Sequence, residues 1–408
     1  MLVRGLCVAA AAALAALAAG CGGVGASPAV EPGGKALSVY SSQPLQGPNA
    51  PAAAEVVNGE KLALAQVGGH IGSFAVGYVS LDDANPVSGR LDPGAAESNA
   101  EMAARDPMTI AYLGDFDSAA TAVSLPLINA AGIPQVSPAS PYEGLTSGLD
   151  AGQDEPARFY PSGVRTFARL QPGDPAQALA QVRLMGSLHV HTLFMLEDED
   201  AFQRPLATLV ATLARREGIS VLAQDTIASG SGQHFAGEVE KIVRAHPDAV
   251  LYTGASIPAA LSMWQELRAA DRDVTLLGTS ALANEAFASQ VADATGTYIT
   301  TPVLAPGLYP PRAARVLADY RAKFGGSPDA YALYGYEAMS LVLDTIRAAG
   351  AHGNDRRAII SRLLKTRERA SVLGTYSLEP DGETTLSPYG VDRIAHGQLV
   401  FYSAFATR

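Results

Sequence analysis

Cysteine is nearly missing from this chain: Cys7 and Cys21 are the two in 408 residues. They cannot build a disulfide framework or a cysteine-based metal cluster. Positive charge is also in short supply, with 29 Lys+Arg against 40 Asp+Glu, a net charge of −11 and a pI near 5.1. A surface of that sign repels phosphate backbones, so no nucleic-acid partner is expected. Charged residues are only 17% of the chain and apolar residues 48%, which excludes a mostly disordered protein. Beyond the first twenty residues no apolar run is long enough to cross a bilayer.

Enzyme and metal signatures are equally sparse. There is no G-x-x-x-x-G-K-[ST] loop and no G-x-S-x-G elbow. Gly230-Ser231-Gly232 begins like a dinucleotide loop, but position 235 is Phe where the third glycine belongs. His189-Val190-His191 reads as two imidazoles on one face of a strand, and the other five histidines are scattered. A solvated strand edge is therefore expected rather than a metal site. Glu197-Asp198-Glu199-Asp200 lacks the alternating ligands and the glycine of a calcium loop and reads as a solvated loop. No metal and no cofactor are expected, and no nucleophile–base set is visible.

What is present begins with an address. Arg4 precedes an apolar run from Leu6 to Ala19, which at about 1.5 Å per residue falls well short of a bilayer core of roughly 30 Å. Charge, short apolar core and small residues are the layout of a secretory signal over residues 1–20. The stretch Ala18-Ala19-Gly20-Cys21 resembles a bacterial lipobox, with Leu17 one place before the usual leucine position. Cys21 is then the lipidation site, and the Gly/Pro/Ala/Ser-rich residues 21–35 form a flexible tether. The alternatives are a plain signal cleaved nearby or an Ala-rich helix kept in the protein.

From Ala36 onward, short apolar runs alternate with helical stretches. Strands are expected at 36–40, 74–81, 109–113 and 133–136, with helices over 56–67, 95–105 and 119–131. A second series is expected to start near 165, with strands at 165–170, 191–196, 221–226, 249–252, 274–277 and 298–303. Helices over 312–323, 331–349 and 355–366 and a hairpin around His396-Gly397 complete it. Strands alternating with 10–15-residue helices predict parallel sheets with right-handed crossovers, here in two α/β domains. One loop stands out. Gly114 to Thr121 follows a strand and opens a helix, with Ser118 at or next to the N-cap. Unpaired N–H groups and the helix dipole favour an anion there, although Asp117 or Ser118 could simply cap the helix. The next strand ends in Ser137-Pro138-Ala139-Ser140-Pro141, so both loops belong at the carboxyl edge of one sheet, where open α/β folds bind ligands.

These segments resemble the substrate-binding lipoproteins of branched-chain-amino-acid-type ABC transporters, relatives of the leucine/isoleucine/valine-binding protein with the type I periplasmic-binding fold. The resemblance spans about 36–405. It is carried by Tyr40 to Gly47, Val57 to Leu64, Thr109 through Thr146 and Tyr331 to Ala338. It implies two Rossmann-like lobes with parallel sheets joined by three crossovers: lobe 1 over 36–168 and 301–371, lobe 2 over 169–300 and 372–408. Ligand is then held between lobes that close by a hinge. The family's carboxylate-binding serine falls on Ser118, and its ammonium-accepting carbonyl on Ala139. Its tyrosine in the second lobe falls on Phe202. The family's threonine two places after Ala139 is Pro141 here, and the acid that pairs with the ammonium falls on Ser280. A buried ammonium without a carboxylate partner is costly, so a free α-amino acid is not the expected ligand.

The resemblance thus implies an extracytoplasmic, lipid-anchored, monomeric receptor that delivers a small organic acid, amide or other polar solute to ABC permease subunits. Ser118, Ala139, Ser140 and Ser280 would supply polar contacts, and Tyr142, Phe202 and Tyr252 aromatic walls. The competing readings are a lipid-anchored sensor or interaction protein using the same two-lobed shell, and an enzyme whose hydrolytic activity vanishes in Ser118→Ala. The anchor has a direct test. Cys21→Ala is expected to abolish incorporation of labelled fatty acid and to move the protein from the detergent to the aqueous phase in detergent partition; unchanged labelling would assign the lipid elsewhere.

Overall fold

The computed structural model describes residues 34–87, 91–148, 152–230, 233–271, 273–291 and 294–408. The signal, Cys21, Ser231 and Gly232 lie outside them. The chain opens with β1 (Ala36–Gln43), α1 (Ala50–Gln66), β2 (His70–Ile71), β3 (Phe74–Asp82) and α2 (Pro93–Arg105). It continues through β4 (Thr109–Leu113), α3 (Ser118–Ala130), β5 (Gln135–Ser137) and β6 (Phe167–Arg169). Next come α4 (Asp174–Ser187), β7 (Thr192–Glu197), α5 (Arg204–Arg216), β8 (Ser220–Thr226) and α6 (Ala236–Ala245). They are followed by β9 (Ala249–Tyr252), α7 (Ile257–Ala270), β10 (Thr275–Gly278), α8 (Glu285–Ala288) and β11 (Thr297–Thr301). The last part holds α9 (Pro311–Phe324), α10 (Tyr331–Ala349), α11 (Arg356–Leu363) and the short β12 (Arg369–Ala370) and β13 (Thr375–Tyr376). The chain ends in the hairpin β14 (Tyr389–Ala395) and β15 (Gln398–Phe405). No helix among the described residues is long and apolar enough to cross a membrane.

Two sheets result. The first is six-stranded in the order β2-β3-β1-β4-β5-β6, parallel except for β2. The second is seven-stranded in the order β15-β14-β11-β10-β9-β7-β8, parallel from β8 to β11 with an antiparallel hairpin at one edge. Central strands such as β4 (TIAYL) and β9 (AVLY) are buried along their whole length, as strands covered by helices on both faces must be. The hairpin turn falls on His396 and Gly397, both at positive φ (52° and 73°), with Ala395 paired to Gln398.

The chain passes between the sheets after β6, after β11 and before β14. The second passage exists because α9, α10 and α11 bury their apolar faces on the first sheet. Leu333, Met339, Val342, Ile346 and Ile359 share one core with Leu37, Val39, Ile110 and Leu113. The closest helix contact is α1 against α10. A Cβ at Gly335 would lie 2.0 Å from the Val56 carbonyl oxygen, and one at Gly59 would lie 2.1 Å from that of Ala332. Glycine lets the two backbones approach that far.

Two sequence expectations are corrected. The strand at 165–170 does not open the second series. Its core, β6, pairs in parallel with β5 as the edge of the first sheet, because Phe167 fills an apolar cluster with Leu125, Tyr142, Leu145, Phe159 and Tyr160. Nor do His189 and His191 share a strand face. The chain leaves α4 through a left-handed His189 (φ 57°), and β7 begins only at Thr192.

The helix contact yields a paired prediction. Gly335→Ala is expected to destabilise the fold by about 1–3 kcal/mol in urea denaturation, from overpacking. Gly186→Ala, on α4 where an added Cβ meets nothing within 4 Å, should be neutral or stabilising by up to about 1 kcal/mol.

Candidate functional site

The carboxyl ends of β4 and β5 carry the first group of residues singled out in the sequence. Asp117 holds the N-cap position of α3 without a side-chain capping bond, and Ser118 is the first helical residue. The Ser118 hydroxyl accepts a hydrogen bond from the Tyr142 backbone N–H at 3.2 Å, which ties the two loops together. Beneath them is a buried polar knot. Ser137 and Ser140 hydroxyls donate to the Asp115 carbonyl oxygen (2.8 and 2.9 Å). Ser140 shares a second bond with Thr121 (2.7 Å). Ala139, also buried, donates its N–H to the Ser137 hydroxyl. Ser140 is therefore a scaffold residue, fully enclosed, rather than one that faces an opening.

The second group sits at the carboxyl ends of β7, β9 and β10. Phe202 meets Tyr142 edge to face, ring centres 5.1 Å apart, and so joins a loop of the second sheet to a loop of the first. The Tyr142 hydroxyl donates to Glu155 at 2.5 Å. Tyr252 is not an aromatic wall. It is buried completely, and its hydroxyl donates to Asp198 at 2.8 Å. Asp198 in turn corrects the expected solvated acidic loop: it is buried and also accepts the N–H groups of Ala255 and Ser256, both at 2.9 Å. The half-buried Ser280 donates to Gln177 at 2.8 Å. Asp117 and Asp200 bring negative charge to the facing loops. Burial, then Asp200, pushes Asp117 up to about 6.

Sequence reasoning missed the residue that organises this edge. Arg169, at the end of β6, is completely buried. Its guanidinium donates to the carbonyl oxygens of Ser140 (2.9 Å) and Tyr142 (2.7 Å), to the Thr146 hydroxyl (2.8 Å) and to Glu383, with Glu143 at 3.7 Å. Its backbone N–H reaches Gly382. Asp174, Gln177 and Tyr389 were missed as well. The Asp174 N–H donates to the Pro141 carbonyl at 3.0 Å, and the Tyr389 hydroxyl to Gln177 at 2.6 Å. The available clue was a basic residue inside the apolar run 165–170. Among the described residues no group of three or more His, Cys, Asp or Glu is placed to hold a metal. Two concavities, of about 350 Å³ beside α9 and α10 and about 670 Å³ between α6 and α7, lie away from these loops.

A family model described as periplasmic binding protein matches residues 41–395. The leucine-binding protein LivK from Thermotoga maritima superposes with a TM-score of 0.75 at 20% identity, covering 91% of this chain and 99% of that one. The branched-chain amino acid transporter substrate-binding protein LivJ from Streptococcus pneumoniae, in complex with isoleucine, gives 0.72 at 19%, covering 91% and 99%. A solute-binding protein from R. palustris, in complex with benzoate, gives 0.73 at 18%, covering 91% and 96%. No curated protein matches the chain significantly.

Several carboxyls of this edge and the adjoining core are held protonated by burial. It pushes Glu60 and Asp174 up to about 8. Burial, and then the neighbouring Asp115, does the same to Asp83, and burial raises Asp115 to about 7. An acid whose folded pKa exceeds its unfolded one stabilises the fold fully below the unfolded value and loses that contribution as pH rises through the folded value. The urea midpoint is therefore expected to be higher near about pH 5.5 than near about pH 8.5, and Asp83→Asn should flatten the dependence. A midpoint that rises with pH over this window would contradict it.

Proposed function

The chain belongs to the periplasmic binding protein family, and we propose that it is the extracytoplasmic receptor of an ABC importer, closing two lobes over a small polar solute. The observation that carries this is the meeting of Tyr142 and Phe202: ligand-side loops of two separate, mainly parallel sheets face each other and touch at this aromatic pair, as they also do where Asn284 donates to the Pro48 carbonyl (2.7 Å). The lobes are assigned to 36–168 with 301–371 and to 169–300 with 372–408; β6 runs on to Arg169, β11 to Thr301, and the β12–β13 pair straddles the last boundary. Lipid on Cys21 and the tether after it would hold the receptor, as a monomer, near its permease subunits.

The kind of solute follows from two departures. Ser280 stands where an acid would take the ammonium of an amino acid, and its hydroxyl is committed to Gln177. Pro141 has no N–H or hydroxyl to offer, and its carbonyl is committed to Asp174. A solute headed by a carboxyl or amide suits this edge better than a free α-amino acid. Solved proteins of the same fold hold isoleucine and benzoate, so the architecture accommodates both kinds of guest.

The test is small-angle X-ray scattering combined with calorimetry on ligand-stripped protein, using leucine, isoleucine, benzoate, benzamide, isobutyrate and isobutyramide. A contraction on binding is expected with an acid or amide. In Phe202→Ala affinity should fall by up to about tenfold, because an edge-to-face pair contributes roughly 0.5–1.5 kcal/mol. No contraction with any solute would overturn the receptor reading, and tight leucine binding would overturn the solute class.

A further inference from the structure

Hydrogen-bond accounting on the first turn of α4 leaves a donor and an acceptor over. Gln177 is 1% exposed; its side-chain oxygen accepts from both Ser280 (2.8 Å) and Tyr389 (2.6 Å). With the amide so placed, Nε2 is left without a partner. Asp174, three residues earlier, is 3% exposed, and its Oδ2 is likewise unpartnered. Residues three apart on a helix share a face, so the two orphaned atoms belong to one patch. Buried polar atoms are costly to leave unpaired. This patch lies between the two ligand-side edges. Asp174 is bonded through its N–H to Pro141 on the first, and Gln177 is bonded to the half-exposed Ser280 on the second.

We propose that Gln177 Nε2 and Asp174 Oδ2 form a ligand subsite at the hinge end of the cleft, which grips the planar carboxyl or carboxamide head of the solute. This rests on the receptor reading above and names the atoms that would read the guest. The head's carbonyl oxygen accepts from Gln177, and its second heteroatom shares a hydrogen with Asp174. The N-terminal turn of α4 adds partial positive charge beside that oxygen. An amide gives its own N–H to an oxygen of the Asp174 carboxyl. An acid shares one proton between two carboxyls. Burial keeps that proton on Asp174 up to about pH 8, against the pull of Arg169 and with the help of Glu143 and Glu383. Tyr389 packs against the same patch from β14, and its hydroxyl stays neutral because burial holds its pKa well above the usual range.

The test compares Gln177→Glu and Gln177→Met with the unchanged full chain. Gln177→Glu keeps the volume and the oxygen that Ser280 and Tyr389 hold and, protonated by burial as Asp174 is, still offers one O–H donor. Gln177→Met removes the donor without adding charge. Probes are benzoate, benzamide, isobutyrate and isobutyramide, with isobutanol and isobutylamine as partners lacking the carbonyl. Acids or amides that contract the protein should lose at least about tenfold in affinity in Gln177→Met and less in Gln177→Glu; the Met variant, which leaves the Ser280 and Tyr389 hydroxyls without their acceptor, should melt below the parent, so binding is read below its melting range. Acid binding should weaken above about pH 8, where Asp174 loses its proton, and amide binding should persist. A solute that closes the variants as well as the parent, or tightest binding by the alcohol or the amine, overturns the subsite and leaves the receptor reading standing. Absence of contraction with every probe overturns both.

Discussion

One buried guanidinium holds the working edge of this protein in place. Arg169 has no access to solvent, and a cation in that position is tolerable only with charged and polar partners around it. Its two terminal nitrogens donate to backbone carbonyls of the loop that follows β5, to Thr146 and to Glu383 on the segment returning from the first sheet to the second, while Nε is left over. A single planar fork thus ties a ligand-side loop to two of the three places where the chain changes sheets. Arginine suits the position because its donors are splayed in a rigid plane and can reach several acceptors at once. Lysine, with a compact ammonium, could not span them.

The same connection explains how the fold tolerates three passages between sheets without coming apart. Each passage must be anchored on both sides. The first is anchored by Arg169 and by the Asp174 N–H on Pro141. The second is anchored by the apolar faces of α9 to α11, which commit the chain to the first sheet before it returns. The third is held by Glu383 on Arg169 and by the close pass of Gly382, where a Cβ would lie 2.1 Å from the Phe167 carbonyl oxygen. Motion between lobes would then be concentrated in short segments whose ends are fixed, as hinge closure requires.

Much of the architecture was legible because it rests on periodicity. β4, β9 and α10 fall where alternation of short apolar runs and helical stretches places them, and the His396-Gly397 turn is dictated by two residues that tolerate positive φ. The sheet membership of β6 was not legible. A strand of three residues carries no pattern that distinguishes one sheet from the other; only the packing of Phe167 among distant aromatic residues decides it. His189 failed for a related reason. A left-handed residue at a helix end is set by the geometry of the exit, which histidine permits at 189, 246 and 396 without marking which of them ends a helix.

The site was harder to read, and the reason is chemical. Residue type suggested hydroxyls and aromatic rings: Ser118, Ser140, Ser280, Tyr252. In the fold each of those hydroxyls already has a partner within the protein. Such groups shape the edge, but they have little left with which to bind a guest. What a guest can use is whatever the protein leaves over, and that is a property of three-dimensional accounting rather than of sequence. Gln177 looks like an ordinary helix residue until both hydroxyls of Ser280 and Tyr389 are seen to converge on its oxygen. The Ser280 hydroxyl then has a structural consequence: with Tyr389 it takes one end of a neighbouring amide, and the other end is left over. A leftover group of that kind is what a planar polar head can pair with.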